Sequence, residues 1–186
     1  MHSFLGWLWL SLLASQSAQA DALPLALAQS QALLVSQGTC EAGWRELGGG
    51  PRQYPLGEGV ILWLVPCAEW SVNLESAVYL ELPAEGDKDL FRPVLFLDYD
   101  PYQGLHAGMV SYNVRFDANT QSLYSYQYFL ADGACASSAR YDWSPGPQRF
   151  QAVKILKNDV CQGGERWEQV WPPVSAGAAR SKQPGF

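Results

Sequence analysis

The stretch MVSYNVRFDANTQSLYSYQYF, residues 109–129, decides the fold. Two runs dense in Val, Tyr, Phe and Leu, 109–116 and 123–129, flank Asp117-Ala118-Asn119-Thr120. β-branched and aromatic residues suit a pleated, half-buried surface, whereas Asp and Asn tolerate the tight or left-handed backbone of a hairpin connection. The pattern predicts two strands joined by a turn.

The same texture extends in both directions. VILWLV (60–65), AVYLEL (77–82), PVLFLD (93–98) and RFQAVKIL (149–156) are short apolar runs separated by Gly, Pro, Asp and Asn. GDKD (86–89) reads as a further turn, and Ser144-Pro145-Gly146-Pro147 breaks ARYDW (139–143) from RFQAVKIL into a hairpin. With no long helix between these runs, the expectation is an all-β, antiparallel sheet domain. DALPLALAQSQALLVSQG (21–38) is the exception. There Pro24 suits a first helical turn, Ala, Leu and Gln favour the helix, and Gly38 stops it.

The chain ends are expected to stand apart from this domain. MHSFLGWLWLSLLASQSAQA (1–20) is apolar from Phe4 to Ala14 and closes on Ala18-Gln19-Ala20, the small-x-small pattern cut by signal peptidase. Its apolar run falls well short of the roughly 20 residues a bilayer core requires, so the reading is a cleaved export signal rather than a membrane anchor. One domain is expected over 21–172. Residues 173–186, rich in Pro, Gly, Ser and Ala without apolar periodicity, read as a flexible tail.

Charge narrows the partners. Against 18 Asp and Glu stand 12 Lys and Arg, a net charge of −6 without a basic stripe, which argues against nucleic acid. All four cysteines, Cys40, Cys67, Cys135 and Cys161, follow the export signal, and an even count in an exported chain reads as two disulfides. An internal echo selects the pairing. Cys40 leads through Trp44 and a Gly/Pro break to the VILWLV run and Cys67; Cys135 leads through Tyr141 and a Pro/Gly break to AVKIL (152–156) and Cys161. Two related hairpin units, each closed by its own bridge, are therefore expected. Zinc is disfavoured because no CxxC occurs and His106 is the single histidine after the signal.

These residues resemble a known family. LWLVPCAEWSVN (62–73), AVYLEL, VRFDANTQSLYSYQYFLADGAC (114–135), YDWSPGPQRFQAV (141–153) and Cys161 with ERWEQVWP (165–172) are similar to the bacterial domain-of-unknown-function family 1176. The ordered set Phe116-Asp117, Leu123, Cys135, Tyr141, Trp143, Phe150, Cys161 and Trp167 carries the likeness, which runs from about Cys40 to Pro172. It implies an exported protein of Gram-negative bacteria and no established activity. Two segments depart from the family pattern: residues 128–134, where a basic, Gly-rich stretch is expected, and Val72-Asn73, where a Tyr-Asn pair is expected.

Three features could carry chemistry. Cys135 as a nucleophile would need His106, in the Gly-rich loop GLHAG (104–108), as its base; in an oxidising compartment with Cys161 present, a disulfide half is the plainer reading. Asp98 and Asp100, two apart on a strand, would leave one face and could form a glycosidase pair or supply oxygens to calcium; the plainer reading is a strand end entering a solvated turn. Tyr124, Tyr126 and Tyr128 alternate along one run, either as a flat platform for a sugar or peptide or as cross-strand packing. Trp44, Trp63, Trp143, Trp167 and Trp171 read mainly as core and bridge packing. No metal cluster, phosphate loop or nucleophile with its base is evident, so no cofactor and no catalytic residue are assigned. The functional expectation is a periplasmic, non-enzymatic binding or inhibitor module for an envelope protein or glycan, with a carboxylate hydrolase acting on a glycan or peptidoglycan as the alternative.

Overall fold

The run VILWLV is apolar at every position because both faces of its strand are covered. The computed structural model describes residues 23–83, 90–130, 135–161 and 166–173; the segments expected to be an export signal (1–20), a turn (86–89) and, past Pro173, a tail lie outside these. Helix α1 spans Leu25–Ser36, and a 3₁₀ turn spans Trp44–Gly49. The strands are β1 (Arg52–Gly57), β2 (Val60–Trp70), β3 (Asn73–Leu82), β4 (Leu90–Pro93), β5 (Phe96–Asp100), β6 (Gly104–Gly108), β7 (Val110–Tyr112), β8 (Arg115–Asp117), β9 (Ser122–Tyr128), β10 (Ala136–Ser144), β11 (Arg149–Asn158) and β12 (Glu168–Trp171).

Every pairing among the described residues is antiparallel. One sheet runs β1-β2-β3-β4 with β7 also on β3, a second runs β12-β11-β10-β9-β8, and β5 with β6 forms a separate ribbon. Side chains alternate across a strand. Leu62 and Leu64, with Val78 and Leu80, therefore meet Leu123, Ala139, Tyr141, Phe150 and Ile155 of the second sheet. Their neighbours Trp63 and Val65, with Ala77 and Tyr79, turn the other way and pack under Leu27 and Leu34 of α1. The architecture is an all-β sandwich of two sheets, with one short helix closing the outer face of the first.

Helix α1 begins after Pro24 and ends before Gly38, whose φ of +73° is open to glycine at little cost. Its buried stripe is Leu27, Gln31 and Leu34. Gln31 is tolerated inside because its amide is satisfied: Nε2 donates to the Pro66 carbonyl at 3.1 Å and Oε1 accepts from the Tyr79 hydroxyl at 3.3 Å.

Three expectations need correction. The run 109–116 is not one strand: Asn113 sits at φ +46°, and the chain leaves the first sheet as β7 and enters the second as β8. The run 93–98 is likewise divided, since β4 stops at Pro93, which has no N–H to donate, and β5 starts at Phe96. GLHAG is no loop but strand β6, hydrogen-bonded to β5 after a turn closed by Gly104 at φ +75°. The DANT turn and the hairpin across Ser144–Pro147 are present, the first held by the Asp117 carboxylate accepting from the Asn119 amide at 2.9 Å.

Both bridges pair as the echo predicts, Cys40 with Cys67 and Cys135 with Cys161. Each closes a unit containing one antiparallel hairpin, β1–β2 in the first case and β10–β11 in the second. The units differ at their entry: Cys40 precedes the 3₁₀ turn, whereas Cys135 leads directly into β10. Two disulfides fit an oxidising compartment. No helix among the described residues is long and apolar enough to cross a membrane.

Candidate functional site

Strand β9 has two unlike faces. Leu123 and Ser125 are buried between the sheets, while Tyr124, Tyr126 and Tyr128 stand half-buried on the outer face of the second sheet. Cross-strand register places Arg115, Tyr124, Arg140 and Lys154 in one row over β8, β9, β10 and β11, with Tyr126, Ser138 and Leu156 in the next. Between these rows lies a groove of about 600 Å³, with Arg115, Tyr124, Tyr126, Ser138, Arg140 and Lys154 on its walls.

The tyrosines are not equivalent. The Arg115 guanidinium lies 5.0 Å from the centre of the Tyr124 ring, a cation–π geometry. Tyr126 meets Tyr128 at 4.7 Å and Trp167 at 5.9 Å between ring centres, so Trp167 belongs to this aromatic face. Tyr128 packs behind Tyr126 rather than lining the groove. Among the cations, Arg140 is held by both oxygens of Asp142, at 2.7 and 3.1 Å. Arg115 and Lys154 make no ion pair among the described residues.

Two asparagines that the sequence did not single out as site residues fix this face from behind. Asn73, at the start of β3, donates through Nδ2 to the Tyr128 carbonyl at 2.8 Å and accepts through Oδ1 from the Tyr128 amide at 2.9 Å. Asn113 donates to the Tyr126 carbonyl at 2.8 Å and to Asn73 Oδ1 at 3.0 Å, and accepts from the Leu74 amide at 3.0 Å. The signal was present but faint: Asn beside a strand is a common turn residue, and only the tertiary fold brings Asn73 and Asn113 to one strand.

Of the two aspartates only Asp98 lies inside the molecule. Asp98 on β5 is buried and accepts from Ser125 at 3.1 Å, Tyr141 at 2.8 Å and Ser111, three hydroxyls drawn from β9, β10 and β7. Burial, then the Asp98 charge, push the Tyr141 phenol well above its ordinary pKa, so it stays a donor. Asp100 ends the same strand and accepts from the amides of Tyr102 and Gln103 at 2.8 and 3.1 Å, an Asx turn. One carboxylate is committed to packing and the other to a turn. His106 is the register partner of Asp98, yet its Nδ1 faces the Gly104 carbonyl at 3.3 Å. Cys135 has no thiol to offer, being bridged. Among the described residues no group of three or more His, Cys, Asp or Glu could hold a metal.

Glu75 supplies a pH test of the same region. It sits opposite Tyr112 in the β3–β7 pairing, half-buried; desolvation raises its pKa above 4.5, against lowering by bonds from Tyr112 and Trp70. A carboxyl whose folded pKa is raised contributes stability that is full below the unfolded pKa and is lost as pH rises through the folded value. Glu75→Gln is therefore expected to gain stability relative to the parent as pH climbs from 4.5 upward. Melting curves at the two ends of that window check it; a difference independent of pH would refute the assignment.

Comparison of the chain with protein-family models, with curated proteins and with solved structures finds no match in any of the three.

Proposed function

We propose that this chain is an exported periplasmic binding module of the family 1176 kind, non-enzymatic, which takes an envelope component or protein on the outer face of its second sheet. One observation carries the reading: a groove of about 600 Å³, within the range of roughly 300–1,000 Å³ usual for ligand sites, is walled by Tyr124 and Tyr126 on the outer face of the second sheet. Tyrosine rings give large rigid contact area with a polar tip, at the cost of few rotamers. Of the remaining candidates for chemistry, Asp98 has both oxygens engaged by the protein itself, and Asp100 holds a turn through Oδ1.

Immobilised protein challenged with a solubilised envelope fraction tests the reading. Capture is expected to weaken at least tenfold in Tyr126→Ala, because truncating a central aromatic contact costs about 2 kcal/mol or more. Melting temperature is followed in parallel, since Tyr126 also touches Tyr128 and Trp167. Tyr124→Ala provides a second variant with different packing. Capture unchanged in both folded variants, or turnover of peptidoglycan or another envelope glycan by the purified protein, overturns the proposal.

A further inference from the structure

The groove's charge does not match the rest of the chain. The protein carries −6 overall, yet one cross-strand row holds Arg115, Arg140 and Lys154 around Tyr124. Among the described residues only Arg140 is in an ion pair, with Asp142; Asp117, two residues along β8, is near enough for its charge to act on Arg115. Arg115 and Lys154 are exposed and stand at the two ends of the row, three strand spacings or about 14 Å apart. Carboxylates stand in the neighbouring row, Asp117 and Asp142 on either side of Ser122, but Arg115 and Lys154, neither in an ion pair among the described residues, bracket the aromatic floor.

Resting on the binding role proposed above, the geometry points to an acidic glycan as the ligand: a short run of sugar rings stacked on Tyr124 and Tyr126, with its carboxylates held by Arg115 and Lys154. The Tyr124 and Ser138 hydroxyls both donate and accept, which suits sugar hydroxyls better than a peptide's apolar side chains. The groove reaches the edge of the second sheet, since Arg115 lies on its end strand β8, but β8 is only Arg115–Asp117 and β9 beyond it is already bonded at Tyr126 and Tyr128 by Asn113 and Asn73, which leaves little free edge for a peptide to add to as a strand. Among the described residues Leu156 and Ala139 are the groove's only aliphatic walls, which offers little to an apolar anchor residue. The chain's own tail carries Arg180 and Lys182, a charge the same cations repel. Aromatic and cationic side chains together also stack nucleobases, but a strand with one charge on every nucleotide would run into the acidic remainder of this protein.

Calorimetric titration of the disulfide-bonded protein with trigalacturonate and with its methyl ester tests the inference, because the two differ chiefly in charge. The acid is expected to bind at least tenfold more tightly, and to weaken as salt is raised. Lys154→Gln and Arg115→Gln are each expected to lower the acid's affinity about tenfold and the ester's by a clearly smaller factor, so that the acid's advantage over the ester shrinks. Equal affinity for acid and ester overturns the inference, as does tighter binding of hexaglutamate or of hexathymidylate. If no probe binds while envelope capture still depends on Tyr126, the acidic glycan is wrong and the binding face stands. If capture is also indifferent to Tyr126, both fall.

Discussion

Asp98→Ala is expected to cost about 3 kcal/mol or more of unfolding free energy, among the largest effects of any single substitution in this chain. The buried carboxylate is the common acceptor for hydroxyls on three strands, and no Lys or Arg among the described residues pairs with it. Removing it leaves Ser111, 1% exposed, and Ser125, 5% exposed, with donors facing no acceptor. Orphaning a buried polar group costs about 1–3 kcal/mol, and two are orphaned. Tyr141 suffers less, because its hydroxyl can turn wholly to the Leu97 carbonyl at 2.9 Å. Urea unfolding of the disulfide-bonded protein measures the loss. A double cycle with Ser125→Ala should return a coupling of about 1 kcal/mol, since the serine no longer has a bond to lose once the carboxylate is gone. Additive behaviour, or a loss below about 0.5 kcal/mol for Asp98→Ala, would mean that Asp98 does not hold the ribbon to the sheets.

Breaking the Cys40–Cys67 bridge is the second large effect. Its loop spans 27 residues and that of Cys135–Cys161 spans 26, so chain-entropy arguments assign each about 3–4 kcal/mol. The native surroundings separate them. Cys40 and Cys67 are buried beneath α1, where Gln31 Nε2 lies 3.2 Å from Cys40 Sγ, while Cys161 is partly exposed. The Cys40→Ala/Cys67→Ala double variant should therefore lose the entropic share and some packing of the helix layer, about 4–5 kcal/mol in all. Cys135→Ala/Cys161→Ala should stay nearer about 3 kcal/mol. Denaturation midpoints at matched pH decide the order. The reverse ranking would show that the helix layer is not secured through Cys40.

How much of this was legible beforehand follows from the range of the interactions. Strands β2, β3, β9, β10 and β11 are written in local texture, and the bridges in a repeat of cysteine, break and apolar run. Helix α1 was readable from Pro24 and Gly38 although its buried stripe includes Gln31, a residue whose fitness depends on Pro66 and Tyr79 far along the chain. The sheet switch at Asn113 was not readable, because apolar texture continues through it and the change of partner is decided by β3 and β9. The site divides in the same way. Alternation placed three tyrosines on one face, but their company of Arg115, Arg140 and Lys154 is cross-strand register, which a single strand's sequence does not contain. Asp98 reads locally as the start of a turn; its burial comes from Ser111, Ser125 and Tyr141.

The Asn73 side chain behaves toward Tyr128 as a neighbouring peptide unit would, giving and taking one bond apiece. A strand displaced by one residue would present its other face, turning Leu123, Ser125 and Gln127 outward and the phenols inward. Such a slip would have to break both bonds to Asn73 and the bond from Asn113 at once. The outward aim of the tyrosines is thus set by the first sheet, and length changes should be accepted in the Asp117–Gln121 turn but not between Ser122 and Tyr128.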